Sequence, residues 1–195
     1  MEWIPSIITE GAHGNREVSL RTQQFTEGII YINDEINHEL ANRVLSQLLY
    51  LEKENIPAKI YINSPGGSVD AGLVIYDALQ GIKNDITIIC AGMAASMAAI
   101  ILAGGRKGKR YIYPHSKVLI HEPMLTNGYG GSASSIKSMS DMILETRTVL
   151  NGILAKHTGK TEEEILKGTA YDNIMTAKQA VEFGICDKII TTLTV

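Results

Sequence analysis

One apolar stretch, residues 87–105, constrains the fold of this chain more than any other part of the sequence. The run Ile86-Thr-Ile-Ile-Cys90 is mostly β-branched and apolar, which predicts a buried strand. Residues 94–103 are rich in Ala, Met and Leu and precede Gly104-Gly105, which predicts a buried helix with a glycine stop. Between Ala91 and Ala103, only Ser96 carries a hydroxyl group. The sequence therefore predicts a strand that turns sharply into a helix beside Ser96.

Ser96 has two interpretations at this position. The first N–H groups of a helix have no intrahelical acceptor, so they point at whatever lies beside the helix start. A serine there can act as a nucleophile, and the N–H of Met97 can bind the oxyanion that forms during acyl transfer. Alternatively, Ser96 is a small residue that permits close packing. This stretch alone does not decide between the two.

The flanking sequence predicts an α/β fold. Residues 59–90 have the pattern strand, helix, strand, which is the crossover unit of a parallel sheet. The turn Ser64-Pro-Gly-Gly-Ser68 leaves its backbone N–H groups accessible, so Gly67 is a candidate second oxyanion donor. An ordinary strand-to-helix turn would have the same composition. The predicted elements up to residue 105 are strands at 28–32, 59–63 and 86–90 and helices at 36–54, 69–82 and 94–103.

The second half of the chain contains a histidine and a long helix of interest. His121 ends a predicted strand at 117–121, and strand ends in α/β sheets are where sites gather, although a single histidine there can equally be structural. Apolar residues at helical spacing predict one helix over 133–157, which is longer than a compact domain of this size needs. We expect it to pack on another chain. Strands at 111–113 and 187–190 and short helices from 161 and 176 complete the prediction.

Composition limits the classes of function. The 195 residues fit a single domain, 1–195, and the net charge of −3 gives no electrostatic argument for nucleic-acid binding. Two cysteines are too few for a disulfide scaffold, and no Cys and His spacing indicates a metal site. The sequence shows no signal peptide and no apolar run of the ~20 residues that a membrane span needs, so we expect a cytoplasmic protein. Residues 1–27 are polar and aperiodic and are expected to be flexible.

Four stretches together resemble one known family. They are Tyr61-Ile-Asn-Ser-Pro-Gly-Gly-Ser68, Gly92-Met-Ala-Ala-Ser-Met97, Ile120-His-Glu-Pro123 and Tyr171-Asp-Asn-Ile-Met-Thr-Ala177. In this order and spacing they resemble the motifs of the ClpP family, the proteolytic subunits of ATP-dependent Clp proteases. The resemblance covers roughly residues 28–190 without interruption.

The resemblance implies a serine endopeptidase. The family's nucleophile corresponds to Ser96, its general base to His121 and its orienting carboxylate to Asp172. These residue types suit the chemistry, because a serine hydroxyl needs a base near neutral pH and a carboxylate fixes the tautomer of that base. Because Asn173 is adjacent to Asp172, a shift of one residue in the alignment with the family would replace the carboxylate with an amide. The implied oxyanion donors are the N–H groups of Gly67 and Met97, and the implied substrate-binding residues are Gly66, Ser68, Pro123, Met124 and Leu125.

The resemblance also implies an architecture and partners. It predicts a crotonase-like fold of repeated ββα units and heptameric rings that stack into a tetradecamer around a closed chamber. The long helix, within a handle region at 125–157, would join the rings. Unfolded polypeptides would be fed by an AAA+ unfoldase of the ClpX, ClpA or ClpC type, which spends the ATP, so this chain would need no cofactor. The residues that fit an unfoldase-docking pocket are Tyr61, Ile89, Tyr111 and Tyr113.

The sequence departs from the family at contacts that assemble the rings. Tyr171 stands where an arginine usually precedes the triad aspartate, and Gly130-Gly-Ser-Ala133 replaces a Gln-Gly-Gln-Ala-like start of the handle. We therefore expect a divergent paralogue that is weakly active alone and depends on a second ClpP-type subunit. Two other interpretations are a non-catalytic ring subunit and a crotonase-type acyl-CoA enzyme, which would use the same oxyanion hole for a thioester enolate.

Overall fold

The computed structural model of the chain describes residues 5–11, 14–125 and 130–193. The strands are β1 (Ser6–Gly11), β2 (Gly14–Ser19), β3 (Ile29–Ile32), β4 (Ala58–Ser64), β5 (Ile86–Ala95), β6 (Arg110–Ile112), β7 (Lys117–Ile120), β8 (Asn173–Thr176) and β9 (Lys188–Ile189). The helices are α1 (Leu20–Thr26), α2 (His38–Lys53), α3 (Val69–Gly81), α4 (Met97–Ala103), α5 (Ala133–Thr158), α6 (Glu162–Thr169) and α7 (Ala177–Phe183). The predicted α/β fold with a parallel sheet is confirmed.

Strand β5 organises the main sheet. The order β3-β4-β5-β6-β9 is parallel throughout. The first half of β5 pairs with β6 through Ile88–Cys90, whereas its second half pairs with β7 through Met93–Ala95. β7 pairs in turn with β8, in the antiparallel direction. The sheet therefore divides along β5, whose carboxyl end lies between the end of β4 and strand β7.

Helix α4 is buried on all sides. Each of its residues is at most 5 % exposed, because the helix packs against β5, α3 and α5. Gly72 of α3 permits this packing, since a Cβ at that position would overlap the side chain of Met97. A helix that is buried all round must be apolar all round, which explains the Ala, Met and Leu composition of this part of the sequence.

The N-terminal part of the structure differs from the prediction. The sequence predicts no regular structure before residue 28, but β1 and β2 form an antiparallel hairpin and α1 follows directly. Most side chains of β2 are exposed, so no apolar alternation marks the hairpin in the sequence. The predicted flexibility of residues 1–27 stays a prediction.

The end of β5 and the whole of strand β8 also differ from the prediction. Ala94 and Ala95, which the sequence places in a helix, continue β5, because β7 pairs with them. Strand β8 was not predicted at all. In both places the pairing of strands outweighs the local preference of the residues, as is common for β-structure.

Helix α5 matches the predicted long helix and is largely exposed. Only Leu150 and Leu154, in its second half, are buried. Large apolar side chains remain accessible along it: Ile136, Met142, Leu144 and Val149. The expectation that this helix packs on another chain stays a prediction. No helix in the described part of the chain has the length and apolar character that a bilayer span requires.

A buried ion pair between Arg110 and Asp187 connects the start of β6 to the ends of α4 and α5. The Arg110 side chain is 3 % exposed, and its Nε donates to Oδ2 of Asp187 at 3.0 Å. Its Nη1 donates to the carbonyls of Ala103, at the end of α4, and His157, near the end of α5. Burial alone would raise the pKa of Asp187, but the hydrogen bonds and charge of Arg110 outweigh it and hold that pKa below its usual value. Arg110 thus fixes α4 and α5 against the sheet.

We expect Arg110→Met to lower the free energy of unfolding by about 3–5 kcal/mol. It removes the cationic partner of the largely buried Asp187 carboxylate, which keeps only the backbone N–H groups of Gly108 and residue 110, and it removes the donor to two carbonyls. Urea unfolding at fixed protein concentration measures the change. The control is Lys137→Met, which removes an exposed ion pair with Asp141 and should change little. Equal stability of the two variants would contradict this role of Arg110.

Candidate active site

Ser96 lies in a sharp turn between β5 and α4 with an unusual backbone conformation. Its φ is 54° and its ψ is −122°, a combination that non-glycine residues rarely adopt. The turn is held on both sides, since Ser96 N–H donates to Leu119 O at 2.8 Å and Ser96 O accepts from Ala99 N–H at 2.9 Å. Such fixed, strained positions are concentrated at functional sites.

The turn after β4 packs directly on this strained turn. A Cβ on Gly66 would lie 2.6 Å from Ala95 O and 2.7 Å from Ser96 Cβ, so no side chain fits there. Gly66 also has φ of +93°, which favours glycine independently. The two backbone segments are therefore in contact only because residue 66 is glycine.

Two N–H groups beside Ser96 have no acceptor among the described residues. Ile36 N–H donates to Gly66 O at 2.7 Å, and Ser68 N–H donates to Ile36 O at 2.8 Å. In a parallel bridge of this kind the N–H of the intervening Gly67 points to the opposite side. Met97 is the first residue of α4, so its N–H precedes the intrahelical ladder. Both predicted oxyanion donors are thus available to a ligand.

His121 lines the same cleft as Ser96 and is half-buried. Its Nδ1 is 2.6 Å from the carbonyl oxygen of Glu122. A carbonyl can only accept, so the proton must be on Nδ1, which leaves the lone pair on Nε2. This is the tautomer that a general base needs. The main chain of Glu122 therefore selects the tautomer, a role that the sequence analysis assigns to a carboxylate.

Asp172 lies near His121 in the backbone register but is exposed. The last pair between β7 and β8 is Ile120 with Asn173, so His121 and Asp172 are the chain neighbours of that pair. The bond from Glu122 N–H to Thr169 O, at 2.7 Å, holds the two chain segments together beyond the strands. No hydrogen bond joins the three side chains of Ser96, His121 and Asp172, each of which lies in the described part of the chain.

The cleft around Ser96 has a volume of about 500 Å³. The predicted substrate residues Ser68, Pro123 and Met124 are among those that line it. Gly66 and Leu125 do not line the cleft: Gly66 supports the strained turn, and Leu125 is exposed. The full lining is Glu35, Pro65, Gly67, Ser68, Val69, Ser96, Met97, Ile100, Ile120, His121, Pro123, Met124, Leu150 and Leu154.

The two cysteines are unsuitable as alternative nucleophiles. Cys90 and Cys186 are free and buried. Burial raises the pKa of the Cys90 thiol to about 12 and also raises the pKa of the Cys186 thiol, so both are protonated near neutral pH. Within the described residues, no His, Cys, Asp and Glu side chains form a group of three or more that could hold a metal ion.

Two residues of the site were missed by sequence analysis. Glu35 lines the cleft from the connection between β3 and α2, and Glu122 supplies the carbonyl that contacts His121. Glu35 lies far from the motif residues in the chain, and no local pattern marks it. Glu122 was part of a recognised motif, but its contribution is made by the main chain, which residue type does not reveal.

Comparison with known protein families gives a match over most of the chain. A family model described as Clp protease matches residues 12–193, which is nearly the whole chain. The matched region contains the strained turn at Ser96, the cleft around it and the long helix α5.

Proposed function

Because the chain belongs to the Clp protease family, we propose that it is a serine endopeptidase subunit with Ser96 as nucleophile, His121 as general base and Asp172 as orienting carboxylate. One observation carries the proposal: a strained serine turn opens into a cleft that His121 also lines, beside two N–H groups that have no acceptor among the described residues. A nucleophile, a base and an oxyanion hole are the parts that acyl transfer requires.

The proposed reaction proceeds through an acyl-enzyme. Ser96 Oγ attacks the carbonyl carbon of the scissile peptide bond and its proton passes to His121 Nε2. The N–H groups of Gly67 and Met97 stabilise the negative oxygen of the tetrahedral intermediate. The imidazolium returns its proton to the leaving amine, and the C–N bond breaks. A water molecule then repeats the sequence and releases the acyl group, without any cofactor.

Full activity requires Asp172 to move towards His121. The Glu122 carbonyl fixes the tautomer, but only a carboxylate also balances the positive charge of the imidazolium. The pairing of Ile120 with Asn173 at the end of β7 and β8 supports such a change, because His121 and Asp172 are their next neighbours in the chain. We propose that assembly drives it, because Arg147 of α5 binds the Glu122 carboxylate at 3.2 Å and so links the helix to the loop that carries His121.

The proposed assembly is a tetradecamer of two heptameric rings joined by α5, with the sites inside a chamber. The exposed apolar residues of α5 support this proposal, since a single chain leaves them uncovered. The unfoldase would be an AAA+ protein of the ClpX, ClpA or ClpC type that delivers unfolded polypeptides and spends the ATP. Among the residues proposed for its docking site, Tyr61 stacks on Tyr31 with ring centroids 5.8 Å apart.

A weakly active subunit that needs a second ClpP-type partner is the alternative. It is favoured because the His121 side chain bonds to the Glu122 carbonyl and not to Ser96 or Asp172. Tyr171 favours it too, since this residue is 87 % exposed at the position where the family usually has an arginine. A crotonase-type acyl-CoA enzyme is disfavoured, because the matching family model is that of the Clp proteases and because Ser96 and His121 line one cleft.

The test is hydrolysis of a short fluorogenic peptide by the purified chain, with its native mass measured in the same buffer. Ser96-dependent cleavage supports the peptidase. Cleavage that appears only after a second ClpP-type subunit is added supports the alternative. A stable, fully active tetradecamer of this chain alone would contradict the expectation of dependence, and an enoyl-CoA turnover unaffected by Ser96→Ala would contradict the peptidase.

A further inference from the structure

Glu35 lines the cleft and lies beside Gly67, whose N–H is one of the proposed oxyanion donors. It lies between β3 and α2 and lines the cleft together with Ser96 and His121. Its Cγ is 3.0 Å from the position that a Cβ would take on Gly67. The Glu35 side chain therefore passes close to Gly67, and its carboxylate carbon is bonded directly to this Cγ.

The backbone around Glu35 is held on both sides. Ser64 Oγ donates to Asp34 O at 2.6 Å, and Ile36 forms the bridge with Gly67 through two hydrogen bonds. The same Ser64 Oγ accepts from Gly66 N–H at 3.1 Å. Residue 35 is thus fixed relative to the turn that carries the oxyanion donor, although its side chain reaches solvent.

Glu35 has no opposing charge within the cleft. Of the described residues that line it, only Glu35 and His121 are ionisable, and the others are apolar or carry hydroxyl or backbone groups. His121 is neutral in its role as base. A carboxylate in such surroundings attracts a cation and repels an anion, because little else in the cleft competes.

We infer that Glu35 makes the cleft prefer polypeptides with a lysine or arginine side chain within two residues of the scissile bond, and disfavour acidic side chains there. This inference rests on the proposed peptidase function. A basic side chain at this place also offsets the repulsion between Glu35 and the oxyanion that forms at Gly67. Glu35 acts as a specificity-determining residue and takes no part in proton transfer.

The experiment compares internally quenched peptides that differ only in Lys, Gln or Glu at each of the two positions on either side of the scissile bond. At low ionic strength we expect Lys to exceed Glu in kcat/KM by roughly fivefold to tenfold at one position. Glu35→Gln should reduce this ratio to within about twofold, and Glu35→Lys should reverse it. High salt should weaken the parent's preference, since the carboxylate reaches solvent.

The matched control is Asp34→Asn, which removes the neighbouring carboxylate, one that does not line the cleft. It should keep the parent's Lys to Glu ratio. Thermal melting of each variant identifies any that fail to fold, and Glu35→Lys tests the charge even if Glu35→Gln is unstable. An unchanged ratio in Glu35→Gln, or no Lys preference in the parent, would overturn the inference while leaving the peptidase intact. No Ser96-dependent hydrolysis of any peptide would overturn the proposed function and the inference with it.

Discussion

Ser96→Ala is expected to lower kcat/KM for peptide hydrolysis by about four to six orders of magnitude, the loss seen when a triad nucleophile is removed. The hydroxyl is the attacking group, and Ser68, the other hydroxyl residue that lines the described cleft, uses its Oγ to accept from Ala71 N–H at the start of α3. The free energy of unfolding should change little, because Ser96 makes its fold contacts through its backbone N–H and carbonyl groups. Activity is measured with a fluorogenic peptide, and folding by urea denaturation and native mass.

The control for this variant is Ser46→Ala, which removes an exposed hydroxyl on α2 that donates to Asn42 O. It should keep the parent's activity. Ser96→Ala should not relieve the backbone strain of the turn, because alanine has the same Cβ as serine and is equally constrained at φ 54°. Activity of Ser96→Ala within tenfold of the parent would refute Ser96 as the nucleophile.

Gly66→Ala is expected to lower kcat by at least about 10²-fold, which is the loss that follows when one oxyanion donor is displaced. The new methyl would overlap Ala95 O and Ser96 Cβ, and it would lie 3.1 Å from Met97 N. Positive φ adds further strain. The turn at Gly66 must therefore move away from the strained serine turn, and the N–H of Gly67 moves with it.

The matched control is Gly81→Ala at the end of α3, where a Cβ would meet no atom within 4 Å. That substitution should leave activity unchanged and should stabilise the helix slightly. Circular dichroism and native mass separate a displaced turn from a failure to fold: the account predicts a folded Gly66→Ala protein with low kcat. A Gly66→Ala variant with the parent's kcat would show that the close approach of the two turns has no catalytic role.

Much of the fold could be predicted because the residues that a helix buries recur along the sequence at helical spacing. Helices α2 and α3 and the long helix α5 were predicted within a few residues, since each carries an apolar stripe or a strong cap. The β1–β2 hairpin could not be predicted in this way, because it is held by main-chain pairing and its side chains face solvent. Strand β8 similarly depends on its partner β7.

The candidate site was predictable only in part, for a related reason. The turn at Ser96 and the glycines that pack on it can be recognised in the sequence, because close backbone contact excludes side chains and so requires small residues. No sequence pattern marks Glu35, since the bridge between Ile36 and Gly67 brings it to the cleft from a distant part of the chain. The contact from His121 to the Glu122 carbonyl is likewise invisible to residue types.

Reaction of the purified chain with a fluorophosphonate tests the central claim most directly, because this reagent modifies a serine only when a base and an oxyanion hole activate it. Mass spectrometry of the digested protein locates the adduct. We predict modification at Ser96 alone, with a rate that falls at least about 10²-fold in His121→Ala. An adduct on another residue, or equal rates at Ser96 with and without the imidazole, would contradict the account.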